Sequence, residues 1–162
     1  MVERHDPDVP AMPGYIWLDL AGRVQRVWGQ HFEIAERAKR RILVADDDPS
    51  IRQTLRIALS KAGYEVLEAR DGAEAVRLWK DTGAGLVIAD LHMPDKNGLE
   101  VILELRAQSP STPIIAMSDG GRTKQIELLG DAKLLGAVRT VGKPFSLDEM
   151  LTAVRQELEG RQ

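Results

Sequence analysis

Acidic residues crowd one point of the chain: the run VADDDPS places Asp46, Asp47 and Asp48 directly after the apolar stretch Ile42 to Ala45. Carboxylates packed together repel one another, and burying one without a partner is costly. Such a cluster therefore sits on a solvated turn or holds a cation. Other apolar runs also lead into polar groups. LVIAD ends in Asp90, PIIAM is followed by Ser118, and AVRTV leads through Gly142 to Lys143. Gathered at one rim, the carboxylates of Asp46, Asp47 and Asp90 offer oxygens to a hard cation such as Mg2+. The Lys143 ammonium and the Ser118 hydroxyl suit phosphoryl oxygens.

These residues need a scaffold that brings strand ends together. From Arg41 onward, short apolar runs alternate with amphipathic stretches: ILVA, IRQTLRIALSKAG, YEVLEA, AEAVRLWKD, LVIAD, LEVILELRAQ, PIIAM, QIELLGDAKLLG, AVRTV and LDEMLTAVRQELEG. LVIAD and PIIAM are apolar throughout rather than alternating, as expected of parallel strands covered on both faces. Pro49 and Ser50 open the first helix and Gly63 closes it. Asp71 and Asn97 can cap the second and third, and Ser146 with Glu149 forms a capping box for the last. Strand-helix alternation of this kind predicts a doubly wound α/β sheet with right-handed crossovers, over residues 40–160. Ligands of such sheets bind beyond the carboxyl ends of the strands, where the strand order reverses. The second strand carries no comparable polar group, which suits a place at the sheet edge.

Composition narrows the function classes. The chain has 162 residues, 43% of them hydrophobic, enough for one domain and a short appendage. With 22 basic and 25 acidic residues the net charge is −3, which argues against a nucleic-acid or membrane surface. The absence of cysteine excludes disulfides, thiolate catalysis and cysteine zinc sites. The start, MVERHDPDVPAMPG, lacks the apolar core of a signal peptide, so a soluble cytoplasmic protein is the expectation.

Taken together, ADDDPSIRQTL, LVIADLHMPDKNGLEVI, IIAMS and VGKPF resemble the receiver domain of two-component response regulators, the CheY-like family. The resemblance covers roughly residues 40 to 160 and implies a flavodoxin-like five-stranded sheet in the order 2-1-3-4-5. By position, Asp90 matches the phosphoacceptor and Asp46 and Asp47 the acidic pair. His92 matches a metal ligand through its backbone carbonyl, Ser118 the hydroxyl switch residue, and Lys143 the site lysine, with a Lys143–Pro144 bond usually cis in the family. The implied chemistry is nucleophilic attack by Asp90 on the phosphorus of a phosphohistidine or acyl phosphate. Mg2+ would be held by Asp47, Asp90 and the His92 carbonyl, with Asp46 acting through water. The implied partners are a sensor histidine kinase or histidine phosphotransfer protein and an unknown downstream protein, with homodimerisation left open.

Blander readings remain for single residues. Asp48 reads as a solvated helix-start residue rather than a ligand, because a helix N-terminus favours an acid. The His92 imidazole reads as solvent-facing. Ser118 or Lys143 alone would be an ordinary loop hydroxyl or surface lysine. Two departures from the family pattern stand out. Thr140 replaces the usual Tyr or Phe three residues before Lys143, so signalling should run through Ser118 and the loop at Asp119 to Gly121. Asp119 places a negative charge where a small neutral residue is common. Gly120 and Gly121 predict a fourth helix that starts late, near Lys124.

Residues 1–39 form an N-terminal extension with a loose proline-rich start. GYIWLDLAGRVQRVWGQ is compatible with a hairpin turning at Ala21-Gly22, followed by helix. The competing reading is a helix through Leu20, Val24, Val27, His31, Ile34, Ala35 and Ala38. No output domain follows the last helix, so the expectation is a stand-alone receiver that signals through protein contacts and does not turn over substrate. The alternatives are a Mg2+-dependent phosphohydrolase on a similar sheet and a receiver-like binding module that is never phosphorylated.

Overall fold

The computed structural model describes residues 36–119 and 122–160, with residues 122–125 given by backbone alone, and the backbone at 17–18 and 24–25. The chain divides into two compact units, 1–37 and 38–162. In the first, Trp17–Leu18 pairs antiparallel with Val24–Gln25. This places Val24 in extended backbone; the turn at Ala21-Gly22 and most of the helical positions considered above lie outside the described residues.

The second unit consists of five strand-helix pairs. They are β1 (Arg41–Ala45), α1 (Pro49–Lys61), β2 (Glu65–Ala69), α2 (Gly72–Thr82), β3 (Leu86–Asp90), α3 (Gly98–Gln108), β4 (Ile114–Ser118), α4 (Arg122–Leu135), β5 (Arg139–Gly142) and α5 (Leu147–Glu159). The strands form one parallel sheet in the order β2-β1-β3-β4-β5. This is the doubly wound, flavodoxin-like arrangement. β2 lies at the edge and is largely half-buried, whereas every residue of β3 and β4 is buried.

Successive side chains of a strand point to opposite faces, so each apolar run feeds two cores. On one face Leu43, Val87 and Ile114 pack with Val76 of α2 and Ile102 of α3. On the other Ile42, Ile88 and Ile115 pack with Leu59 of α1 and Met150 of α5. The uninterrupted apolar character of LVIAD follows directly, since no position on the strand faces water.

Local signals set the helix ends. Asp48 caps α1, its Oδ1 accepting from the Ser50 N–H at 2.8 Å, and Gly63 beyond the other end has φ of 94°. Asp71 caps α2, and Asn97 and Glu100 exchange reciprocal bonds at the start of α3. The Ser146 hydroxyl accepts from the Glu149 N–H at 3.0 Å. α4 begins at Arg122, two residues before the expected Lys124. Arg and Thr both tolerate helical backbone, so the helix can begin ahead of Lys124. Gly98 fixes how the β3–α3 loop meets the sheet. A Cβ there would stand 2.3 Å from the Asp90 carbonyl oxygen, so only glycine lets α3 start this close to the strand end. Among the described residues, no helix is long and apolar enough to cross a membrane.

Candidate functional site

Register brings the polar strand ends to one rim. Ala45 is level with Ala89, Asp90 with Met117, and Ser118 with Gly142, so the residues at or just beyond these positions converge. Asp46 follows β1 and is fully buried. Its Oδ1 accepts from the Asp48 N–H at 2.9 Å and its Oδ2 from Lys143 Nζ at 2.8 Å. The Arg52 guanidinium donates to the Asp46 carbonyl at 2.7 Å, holding the acidic turn against α1. Asp47 is exposed at the mouth, and Asp48 points away as the cap of α1.

Asp90 ends β3 and is 2% exposed. Lys143 Nζ lies 3.4 Å from its Oδ1. That contact is an ion pair, and among the described residues the buried Oδ1 has no well-formed hydrogen bond. Burial and then the Asp46 charge push the Asp90 carboxyl up to about 6, against the pull of Lys143 and the His92 backbone N–H. The Lys143 ammonium is raised as well. Burial works against its charge, but the Asp46 hydrogen bond and the charges of Asp90, Asp46 and Asp119 outweigh it.

Ser118 is fully buried at the end of β4, and its carbonyl accepts from the Lys143 N–H at 2.8 Å, locking the two strand ends together. The Lys143–Pro144 bond is cis. The His92 imidazole is exposed, with Nε2 3.8 Å from Asp119 Oδ1. Neither this contact nor the Lys143–Asp46 bond could be found from spacing alone, because both join loops distant in the chain. Thr140 is half-buried on β5, level with Ala116, and lines a cleft of about 420 Å3 against α5.

The donor set fits a hard divalent cation. One carboxylate oxygen from each of Asp46, Asp47 and Asp90 lies within 4.8 Å of the others, among the described residues. All-oxygen donors with one member open to solvent match the preferences of Mg2+. Oδ1 of Asp90, which lacks a well-formed hydrogen bond among the described residues, is the buried acceptor that such an ion would satisfy.

The raised Asp90 carboxyl has a measurable consequence. A folded-state value of about 6 against the usual 3.8 means that the neutral form is favoured in the folded chain. The stability is therefore complete below about pH 4 and is lost as pH rises through 6. At about 1.4 kcal/mol per unit, ionisation of Asp90 costs up to about 3 kcal/mol at neutral pH without divalent cation. Asp90→Asn is expected to stabilise the metal-free chain by roughly 1–3 kcal/mol at pH 7.5, with the gap closing near pH 4. Urea unfolding with a chelator measures both, and an equal gap at the two pH values would refute the assignment.

Comparison with known proteins agrees with this geometry. The family model described as "Response regulator receiver domain" matches residues 42–155. Regulatory protein AtoC of Escherichia coli (strain K12) is 33% identical over 119 residues, covering 74% of this chain and 25% of AtoC. Response regulator MprA of Mycobacterium sp. (strain KMS) is 38% identical over 115 residues, covering 71% of this chain and 49% of MprA. The chain thus spans between a quarter and a half of the length of these curated relatives. A crystal structure of a response regulator receiver domain protein from Clostridium thermocellum superimposes with a TM-score of 0.70 at 25% identity, covering 75% of this chain and 95% of that one. With the sheet order, the acidic rim and the match over most of its length in agreement, the chain belongs to the response regulator receiver domain family.

Proposed function

We propose that this receiver accepts a phosphoryl group on Asp90 from a phosphohistidine on a sensor histidine kinase or histidine phosphotransfer protein, in the cytoplasm. The observation that carries the reading is the buried Oδ1 of Asp90, paired with the Lys143 ammonium at 3.4 Å and without a well-formed hydrogen bond among the described residues. An Asp90 oxygen attacks phosphorus as the N–P bond of the donor breaks, and the bonding electron pair returns to the imidazole. Mg2+, held by Asp47, Asp90 and the His92 carbonyl with Asp46 acting through water, would supply the charge neutralisation that lets two anions meet.

Lys143 contributes its ammonium, which exchanges its contact with Asp46 for one with a phosphoryl oxygen. The Ser118 hydroxyl donates to another. The product carries roughly −1.5 to −2 charges. Thr140 offers no ring to rotate between β5 and α5, so the change leaves the site through Ser118 and the Asp119 loop and biases contacts with a downstream protein. The net charge of −3 supports a protein partner for this domain rather than nucleic acid.

The test is phosphotransfer from radiolabelled kinases or phosphotransfer proteins. Label is expected to move onto this chain from a cognate donor when Mg2+ is present and to stay at the donor under a chelator. Sustained hydrolysis of a generic phosphate ester would point instead to a phosphohydrolase. No transfer from any donor would point to a silent binding module.

A further inference from the structure

Asp119 stands at the mouth of the acidic site. It follows Ser118, whose carbonyl is bonded to the Lys143 N–H at 2.8 Å, and it shares with Lys143 a cleft of about 590 Å3 that opens beside α1. Its Oδ1 lies 3.8 Å from Nε2 of His92, the residue two positions beyond Asp90. The Asp119 carboxylate therefore spans the β3–α3 and β4–α4 loops on the side where a donor must approach. Its charge is also among those that raise the Lys143 ammonium.

We propose that Asp119 is a resident counter-anion that sets the rate of phosphoryl uptake, holding positive surroundings that the incoming phosphoryl oxygens must take over. This rests on the reading of Asp90 as phosphoacceptor. The two side chains of the His92–Asp119 contact are 39% and 59% exposed, so the contact itself adds little stability and is easily broken. The charge matters more. A small acyl phosphate arrives as an anion and meets Asp119 before it reaches Lys143, and like charges in a partly wet cleft raise the barrier to close approach.

Acetyl phosphate with Mg2+ tests this without any partner protein. In the step, an Asp90 oxygen–phosphorus bond forms as the phosphorus–oxygen bond to acetate breaks. Acetate leaves with the electron pair, and no proton is transferred. Asp119→Asn keeps the size of the side chain and removes the charge. It is expected to be labelled on the order of three- to tenfold faster than wild type at low salt. Salt screens exposed charges, so the wild-type rate should rise with ionic strength and the difference should shrink. Asp119→Glu, which restores the charge, should stay within about twofold of wild type at every salt concentration. A role confined to loop structure would not produce this salt dependence. Labelling of wild type and Asp119→Asn at equal rates with equal salt dependence overturns this inference alone. Absence of label from both overturns the phosphoacceptor reading and this inference with it.

Discussion

Incubated with acetyl phosphate and Mg2+, the wild-type chain is expected to gain a single phosphoryl group that survives acid and is lost in base, and Asp90→Ala to gain none. Three carboxylates share the rim, so the choice among them needs a reason. Both oxygens of Asp46 are engaged, one by the Asp48 N–H and the other by Lys143, which lowers their nucleophilicity. Asp47 is exposed, so water already stabilises its charge and it lacks the desolvation that Asp90 has. Asp90 combines a buried oxygen without a well-formed hydrogen bond among the described residues and an ammonium 3.4 Å away. Desolvation leaves that oxygen less stabilised as an anion and so more ready to form a bond. Intact-protein mass spectrometry measures the adduct, and an undiminished phosphoryl increment in the Asp90→Ala protein would overturn the assignment.

The second large effect concerns the cation. Asp47→Ala is expected to weaken Mg2+ binding on the order of 100-fold, since even groups that only support a ligand are worth ten- to a hundredfold. Asp48→Ala should change Mg2+ affinity by less than about twofold, since its carboxylate is committed to the Ser50 N–H. Its cost should fall on folding instead, at about 1 kcal/mol for loss of the α1 cap. Calorimetric titration of the two variants separates the outcomes, with urea unfolding alongside. Equal losses of Mg2+ affinity would show that the acidic turn has been read in the wrong register.

Much of this architecture is legible in the chain because the signals are local. LVIAD and IIAMS announce strands buried on both faces, since only a strand covered by helices on each side can be apolar at every position. Asp48, Asp71, Asn97 and Ser146 announce helix starts, since each side chain bonds a backbone N–H two or three residues away. The gathering of Asp46, Asp90, Ser118 and Lys143 at one rim follows from parallel strands, whose carboxyl ends all lie on the same side of the sheet.

The tertiary structure alone decided which of these groups face one another. Lys143 bonds Asp46 across 97 positions, the approach of Asp90 to the same ammonium stops at 3.4 Å, and His92 meets Asp119 across two loops. The raised Asp90 carboxyl likewise depends on how deeply β3 is covered and on the Asp46 charge beside it. Periodicity and capping act over a few residues and survive in any chain that carries them. Distances between loops are set by strand register, helix packing and the start of α4, and those exist only once both cores have closed around the sheet.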